Sequence, residues 1–398
     1  MKNKENKPTT FKLWEVIVIT LVSSLIMSLS TGYVVSRNKT VKSLGNSKAL
    51  NEFISSYKNI VDNYYDEIDE TALVDAAING MLKYLGDPYT TYLNESNTNI
   101  LNDSLSGTYE GIGVTVSLNE NSEIVIREVF EDTPAYRAGL QKDDIITKIN
   151  DNDLTGKSST DAVTIIKEAK NSPIKIEVKR NEEIKTFNVE KSSLYIPAIY
   201  KEIYNQNDKK IGYLQVSKFS DTIYEQFNKN LKSLEESKID SLIIDLRNNT
   251  GGYLSEATSI AELFIEKNKI IYSLENKMNK EDTKDSTEEH RNYKIYVLIN
   301  NGSASASEVL AAALKYSYGA TLIGSKSYGK GKVQRTSTLN DGTMYKYTSA
   351  KWLTPKGDCI DEIGLNPDIP IEISESYIDN PSFENDNQLQ TAIYELAK

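Results

Sequence analysis

Between the apolar run Tyr293–Asn300 and an alanine-rich stretch lies NGSASASEVLAAALK, in which Ser303, Ser305 and Ser307 alternate with alanine. A serine at such a strand-to-helix turn could act as a nucleophile. The first turn of a helix offers free N–H groups and the positive end of its dipole, and both stabilise an oxyanion. The N–H of Ala306 would lie beside an attacked carbonyl, and the small Ala304 and Ala306 leave room for a substrate backbone. The same segment also spells a capping box, Ser305 as N-cap with Glu308 at N3, which requires no chemistry.

A serine nucleophile needs a base. The chain holds one histidine, His290, inside the charged run NKEDTKDSTEEHRN, which reads as a solvated loop. A Ser-His-Asp triad and a histidine metal cluster are therefore excluded. The single cysteine, Cys359, lies in a loop with no neighbouring histidine, so no internal disulfide or cysteine zinc site can form. No cofactor or metal is called for. Lysine remains as base, as in Ser-Lys variants of the triad, provided burial lowers its pKa. Lys330 in Ser327-Tyr-Gly-Lys-Gly331 fits: it follows the apolar strand TLIGS, and its flanking glycines permit close backbone approach. Gln334 could hold the amine by its side-chain carbonyl. A surface turn lysine is the plainer reading of the same residues.

Two further glycine motifs bear on the site. Asp245–Gly252, DLRNNTGG, ends the buried strand IDSLIID, and Gly251 or Gly252 could supply a second oxyanion N–H or form an ordinary turn. Gly324–Lys330 has the spacing G-x-x-x-x-G-K of a phosphate loop. Its next residue is Gly331 rather than Ser or Thr, and a strand, KVQRTSTL, follows instead of a helix, so nucleotide hydrolysis is not expected.

The elements that must position these residues follow from periodicity. Residues 193–375 alternate strands and helices: KIGYLQVSKF, DTIYEQFNKNLKSLEES, IDSLIIDLRNN, SEATSIAELFI, YKIYVLINN, SEVLAAALKYS and TLIGS predict a layered α/β domain. Upstream, GIGVTVSL, EIVIREVF, DIITKIN, IKIEVKR and EIKTFNVEK predict five strands, with one helix over STDAVTIIKEAK. This pattern fits a PDZ module. The segment Gly111-Ile112-Gly113-Val114 would turn successive N–H groups into one concavity for a peptide's terminal carboxylate; the plainer reading is that Gly111 and Gly113 mark a tight turn only. Two amphipathic helices are predicted before it, over Ala49–Tyr65 and around Leu73–Tyr84, stopped by Gly86 and Pro88.

Composition places the chain among globular proteins: 398 residues, 39% hydrophobic and 26% charged. A net charge of −11 argues against nucleic-acid binding. Residues 16–35, VIVITLVSSLIMSLSTGYVV, carry no charge and would span about 30 Å as a helix, the thickness of a bilayer core. Lys2, Lys4, Lys7 and Lys12 precede it, favouring an N-terminus held inside. A single-pass signal anchor is expected, with the catalytic part outside the cytoplasm; a cleaved signal peptide is the alternative.

Taken together, SASASE, GKG-x-VQ and DLRNNTGG resemble the signatures of the carboxyl-terminal processing proteases, serine peptidases of the tail-specific protease family with a Ser-Lys dyad. GDPYTTYL, the GIGV and DTPAYRAGL of the PDZ, IGYLQVSKFS, and TPKGD followed by GLNPDI extend the resemblance over nearly everything after residue 36. It implies a crotonase- or ClpP-like α/β core with an inserted PDZ domain. It implies Ser305 as nucleophile, Lys330 as general base, Gln334 as its orienting partner, and an oxyanion hole from Ala306 with Gly251 or Gly252. Two departures stand out: Tyr316 occupies the place where many members carry an acid, and Asn249-Thr-Gly251 replaces the commoner Asn-Pro-Gly.

The expected organisation is a tail and anchor (1–36), a helical region (37–100), a PDZ domain (101–192), a protease core (193–375) and a helical tail (376–398). The expected activity is endopeptidase cleavage of proteins or peptides whose exposed apolar C-termini the PDZ captures. Arg180, at the end of IKIEVKR, is a candidate for coupling PDZ occupancy to activity, or equally a surface arginine on an edge strand. A homodimer is plausible from the terminal helices. A catalytically silent PDZ scaffold is the rival reading, opposed by the presence of Ser305, Lys330 and Gln334 together.

Overall fold

The computed structural model describes residues 47–169, 173–288, 290–339 and 342–398. The expected membrane helix over 16–35 lies outside them; among the described residues, no helix is long and apolar enough to cross a membrane. The chain divides into two compact units, with the boundary in sequence after Met81.

In the first unit, α1 (Lys48–Asn63) begins at Ser47, whose Oγ accepts the Leu50 N–H. Its apolar residues recur at helical spacing, yet none is buried, and Phe53, Ile54 and Ile60 are exposed. The helix α2 (Glu70–Tyr84) follows. Tyr57 donates to the Glu70 carboxylate at 2.8 Å.

The second unit opens with β1 (Thr91–Leu93) and α3 (Glu95–Ser106), the latter capped by the Asn94 side chain. The chain then enters the PDZ domain through β2 (Thr108–Gly111). The body contains β3 (Val114–Leu118), β4 (Ile124–Val129), α4 (Pro134–Ala138), β5 (Ile145–Ile149), β6 (Asn152–Asp153), α5 (Ser159–Glu168), β7 (Ile174–Arg180) and β8 (Glu183–Val189). The chain leaves along β9 (Ser192–Tyr195), which pairs antiparallel with β2. The main sheet runs β3-β4-β5-β7-β8, with β6 beside β5. Strand alternation builds its core: Ile174, Ile176 and Val178 point inward from β7 and meet Ala162 and Ile166 of α5. The strand β3 pairs on one side only.

The α/β domain begins with the hairpin β10 (Ile199–Gln206) and β11 (Lys209–Val216). It continues through α6 (Ile223–Glu236), β12 (Ser241–Asp245), α7 (Leu254–Glu262), β13 (Ile270–Glu275), β14 (Lys280–Lys284), β15 (Lys294–Ile299), α8 (Ala306–Ala313), β16 (Thr321–Gly324), β17 (Lys332–Thr338), β18 (Met344–Leu353) and β19 (Ile369–Pro370). Two helices, α9 (Glu375–Asp379) and α10 (Asn387–Leu396), end the chain. The main sheet has the order β10-β11-β12-β15-β16-β19 and is parallel from β11 onward. All five residues of β12 are buried, as a strand covered on both faces requires. Leu242 and Ile244 pack toward α6, α7 and α8, whereas Ile243 packs with Leu389 and Ile393 of α10.

A second sheet runs β1-β18-β13-β14 with β17 on β18, and neither β13 nor β18 was expected from the sequence. The charged run that reads as a loop begins as strand β14. As an edge strand, β14 needs only backbone pairing with β13, and its Lys, Glu and Asp side chains stay largely in solvent.

Candidate active site

The three serines differ sharply in environment. Ser303 and Ser307 are buried, and their hydroxyls donate to the carbonyls of Leu246 and Asn249, each at 2.8 Å. They fasten the turn before α8 to the loop after β12. Ser305 alone of the three lines a cavity of about 480 Å³, which it shares with Lys330, Gln334 and Gly252. Its backbone has φ 58° and ψ −117°, a strained conformation for a residue bearing a Cβ. Such strain at a strand-to-helix turn is where a nucleophilic serine is expected.

Glu308, read from the sequence as a capping residue, has a wider role. It is fully buried. Its Oε2 accepts the N–H of Ser305 at 2.8 Å and the N–H of Lys330 at 2.9 Å. Its Oε1 accepts the Ser327 hydroxyl at 2.6 Å and the Gly329 N–H at 2.7 Å. One carboxylate thus holds the serine turn and the lysine loop together. The lysine loop is also pinned by Trp352, whose Nε1 donates to the Lys330 carbonyl at 2.9 Å. Gly331 allows this packing, because a Cβ there would stand 2.7 Å from the backbone of Asp361.

The Lys330 side chain is half-buried. Burial pushes its ammonium below the ordinary lysine value; the charge of Lys346 acts the same way, and Glu308 and Asp87 oppose it. No hydrogen bond joins its Nζ to Ser305. Nζ lies 4.8 Å from the centre of the Tyr89 ring instead. Lys332 approaches the same ring at 5.6 Å. Tyr89 is set by Asp87, whose carboxylate accepts the hydroxyls of Thr90 at 2.6 Å and Thr348 at 2.5 Å. In the motif GDPYTTYL, Gly86 and Pro88 read from sequence as a helix stop; the aromatic contact of Tyr89 with the lysine carries no sequence signal. Gln334 does not reach Lys330; its Nε2 donates to Thr348 Oγ1 at 3.4 Å.

Around the serine, Gly251 and Gly252 differ. The Gly251 N–H is donated to Asn249 Oδ1 at 2.9 Å, so it is already engaged. Gly252 forms a parallel bridge with Phe219 in which Phe219 makes the hydrogen bonds, and the Gly252 N–H has no partner among the described residues. Only glycine fits there: φ is 147°, and a Cβ would lie 2.0 Å from the Phe219 carbonyl oxygen. Tyr316 lies in a π-helical turn, Leu314–Tyr318, against Lys315 and Lys356 and outside the catalytic cavity. His290 is exposed and also outside it.

In the PDZ, the carbonyls of Ile112 and Gly113 accept N–H groups from Ala135 at 2.9 Å and Phe130 at 3.0 Å. The N–H groups of Ile112 and Gly113 have no partner among the described residues. Gly111 ends β2, and Val114 begins β3, whose outer edge is open. Arg180, the candidate for coupling PDZ occupancy to activity, grips the buried Asp144 of the PDZ through Nε at 2.5 Å and Nη2 at 2.7 Å and donates to the Gly139 carbonyl at 2.8 Å.

An α/β core with a serine at a strained strand-to-helix turn, a partly desolvated lysine in the same cavity and an attached PDZ domain define a class of serine peptidase. Comparison with known proteins agrees. The profile of peptidase family S41 matches residues 210–371, a PDZ domain profile matches 111–190, and the "Activating protease CtpB N-terminal domain" profile matches 25–97. A CtpA-like serine protease of Staphylococcus aureus (strain N315) is 33% identical over 379 residues, covering 93% of this chain and 75% of that protein. Its counterpart in Staphylococcus epidermidis is 32% identical over 376 residues, covering 93% and 75% of the two chains. The solved photosystem II D1 C-terminal processing protease shares the fold at a TM-score of 0.50 with 22% identity, over 83% of this chain and 88% of that one. The chain belongs to peptidase family S41 and is a serine-type peptidase of the C-terminal processing kind.

Proposed function

We propose that Ser305 is the nucleophile and Lys330 the general base of a Ser-Lys endopeptidase. The supporting observation is the strained Ser305 at the N-terminus of α8, facing the same cavity as a lysine whose pKa is lowered. Neutral Lys330 takes the Ser305 proton as Oγ attacks the scissile carbonyl. The lysine then protonates the leaving amine, and the acyl-enzyme is hydrolysed by water that Lys330 activates in turn. The N–H groups of Ala306 and Gly252 serve as the oxyanion hole; the engagement of Gly251 by Asn249 argues for Gly252 as its second donor. With Lys330 lying over Tyr89 and unbonded to Ser305, the arrangement corresponds to a resting state. Reaction requires Nζ to move from the ring to the hydroxyl, and Gln334 could then orient it.

The PDZ domain receives an apolar C-terminal segment as an added strand on β3, with the carboxylate on the N–H groups around Ile112 and Gly113. The helix α3 lines the catalytic cavity through Leu101 and Leu105 and runs through Gly107 into the PDZ strand β2, so the two sites share an element. Residues 16–35 anchor the protein as a single membrane pass with the peptidase outside the cytoplasm, and the exposed apolar face of α1 suits self-association into a dimer.

The test uses the full chain with an unfolded protein substrate ending in apolar residues. Wild type should cleave it, while Ser305→Ala and Lys330→Ala should not, and a metal chelator should have no effect. Cleavage by both variants at the wild-type rate would refute the dyad.

A further inference from the structure

Every charged side chain that lines the catalytic cavity is basic. Three of its lining residues are lysines, Lys330, Lys332 and Lys346, and none is an aspartate or glutamate. The chain as a whole carries −11, so this local excess is not a reflection of composition. The three lysines are not equivalent. Lys330 is the proposed base. Lys332 is paired with Asp87 at 3.8 Å and Asp361 at 3.6 Å. Lys346 is half-buried and makes no ion pair and no side-chain hydrogen bond among the described residues. It sits in the middle of β18, opposite Thr336 of β17 and Thr91 of β1, flanked by threonines instead of acids. Strand alternation places it on the same side as Met344, which also lines the cavity. The remaining walls include Leu101, Leu105, Leu254 and Trp352. Lys346 thus presents an unpaired ammonium to a cavity whose other walls, the two further lysines apart, are apolar or uncharged, and an opposite charge entering there would find a partner.

We propose that Lys346 is a substrate-binding residue that receives a carboxylate of the polypeptide being cleaved, so that the cavity selects apolar segments bearing an acidic group near the scissile bond. The carboxylate is either an acidic side chain or the free end of the chain; both present the same charge-assisted acceptor. Apolar side chains fill the leucine- and tryptophan-lined walls, and Lys346 reads the acid. A bound carboxylate would also offset the charge that Lys346 directs at Lys330. This inference rests on the cavity being the catalytic site.

The experiment compares full-length wild type, Lys346→Met and Lys346→Glu on amide-capped, fluorescence-quenched peptides. Glu and Gln are exchanged at each position on either side of the cleaved bond, and a further arm carries a free terminal carboxylate just beyond it. Wild type should prefer the acid over its neutral counterpart by about tenfold in kcat/KM at one position. Lys346→Met should reduce that ratio to near one, and Lys346→Glu should invert it, favouring Gln over Glu there. Preference in the side-chain arm or in the terminal arm identifies the source of the carboxylate. An acid-to-neutral ratio in Lys346→Met equal to that of wild type in every arm overturns the proposal. Binding of the same peptides to Ser305→Ala and to Ser305→Ala/Lys346→Met, followed by fluorescence anisotropy, gives a readout independent of turnover. A carboxylate preference lost with Lys346 supports the subsite even if the dyad assignment fails, whereas equal preference in both variants overturns it. Capture of a terminal carboxylate by the PDZ is common to both variants and cancels. Persistent cleavage by Ser305→Ala would count against the dyad alone.

Discussion

Ser305 and Lys330 are joined through a single atom: Glu308 Oε2 accepts the backbone N–H of both, at 2.8 and 2.9 Å. The proposed nucleophile and base come from different loops, and the buried carboxylate sets the spacing of their backbones. The Lys330 side chain meanwhile lies over the Tyr89 ring.

Replacing Glu308 by Gln should therefore damage both stability and rate. A carboxamide has one acceptor oxygen where two now serve four donors, and its NH₂ would face N–H groups. Loss of charge-assisted bonds at a buried site should lower unfolding free energy by about 2–4 kcal/mol. Turnover should fall by at least about a hundredfold, about 2.7 kcal/mol in the barrier, with KM little changed. Denaturant unfolding and steady-state kinetics check this; a Glu308→Gln enzyme with wild-type kcat would show that the clamp does not position the pair.

Tyr89→Leu removes the aromatic face beneath Lys330. A ring beside an ammonium favours the charged form by about 0.5–2 kcal/mol. Its loss should push the Lys330 pKa further down and increase the neutral base at pH 7. We expect kcat/KM to rise severalfold near neutral pH. An unchanged pH profile would show that the ring contact has no hold on the base.

The pH–rate profile of the wild type should rise with pH and level off below the ordinary lysine value, because the active base is the neutral amine and burial with Lys346 lowers its pKa. Glu308 and Asp87 pull the other way, and Lys332 and Tyr89 face the same amine. Removing the positive charge in Lys346→Met should relieve the ammonium and move the rising limb to higher pH. A shift to lower pH would contradict the electrostatic reading.

Gly252→Ala should be harmful for a steric reason, since its Cβ would fall within 2.0 Å of the Phe219 carbonyl oxygen. The displaced N–H should cost about a hundredfold or more in kcat if it is an oxyanion donor. The neighbouring Asn249→Ala frees the Gly251 N–H from its side-chain acceptor and tests whether that engagement organises the loop. Equal activity of Gly252→Ala and wild type would remove Gly252 from the oxyanion hole.

In the PDZ, Arg180→Ala leaves Asp144 buried without its ion-pair partner. The expected loss is about 3–5 kcal/mol of domain stability, read from hydrogen exchange of β5 and β7 in the full chain. Peptide-stimulated activity measured alongside distinguishes this internal role from coupling between domains. Unchanged exchange would mean that Asp144 finds another partner.

Much of the site was legible in the sequence because its chemistry depends on local rules. A single histidine in a charged run forced attention to lysine. Apolar runs of strand length followed by amphipathic stretches predict the α/β order, and IKIEVKR is among the predicted strands; in the fold its Ile174, Ile176 and Val178 are the residues turned inward. The second sheet was less legible. Its strand β18, MYKYTSAKWL, has polar and apolar residues on both faces, and β14 is almost wholly charged, so periodicity carries little signal in either.

Sequence alone thus determined the family resemblance, the alternation of elements and a short set of candidate residues, since each rests on residue types a few positions apart. Tertiary structure decided which serine faces the cavity, that Glu308 binds two loops at once, that Lys330 lies over Tyr89, that Gln334 does not reach it, and that Lys346 enters the cavity unpaired. Apart from Lys330 and Gln334, and Glu308 and Ser305, which are neighbours in sequence, those relationships join residues tens to hundreds of positions apart. They depend on how strands register and how loops close over one another, and no local pattern encodes such distances.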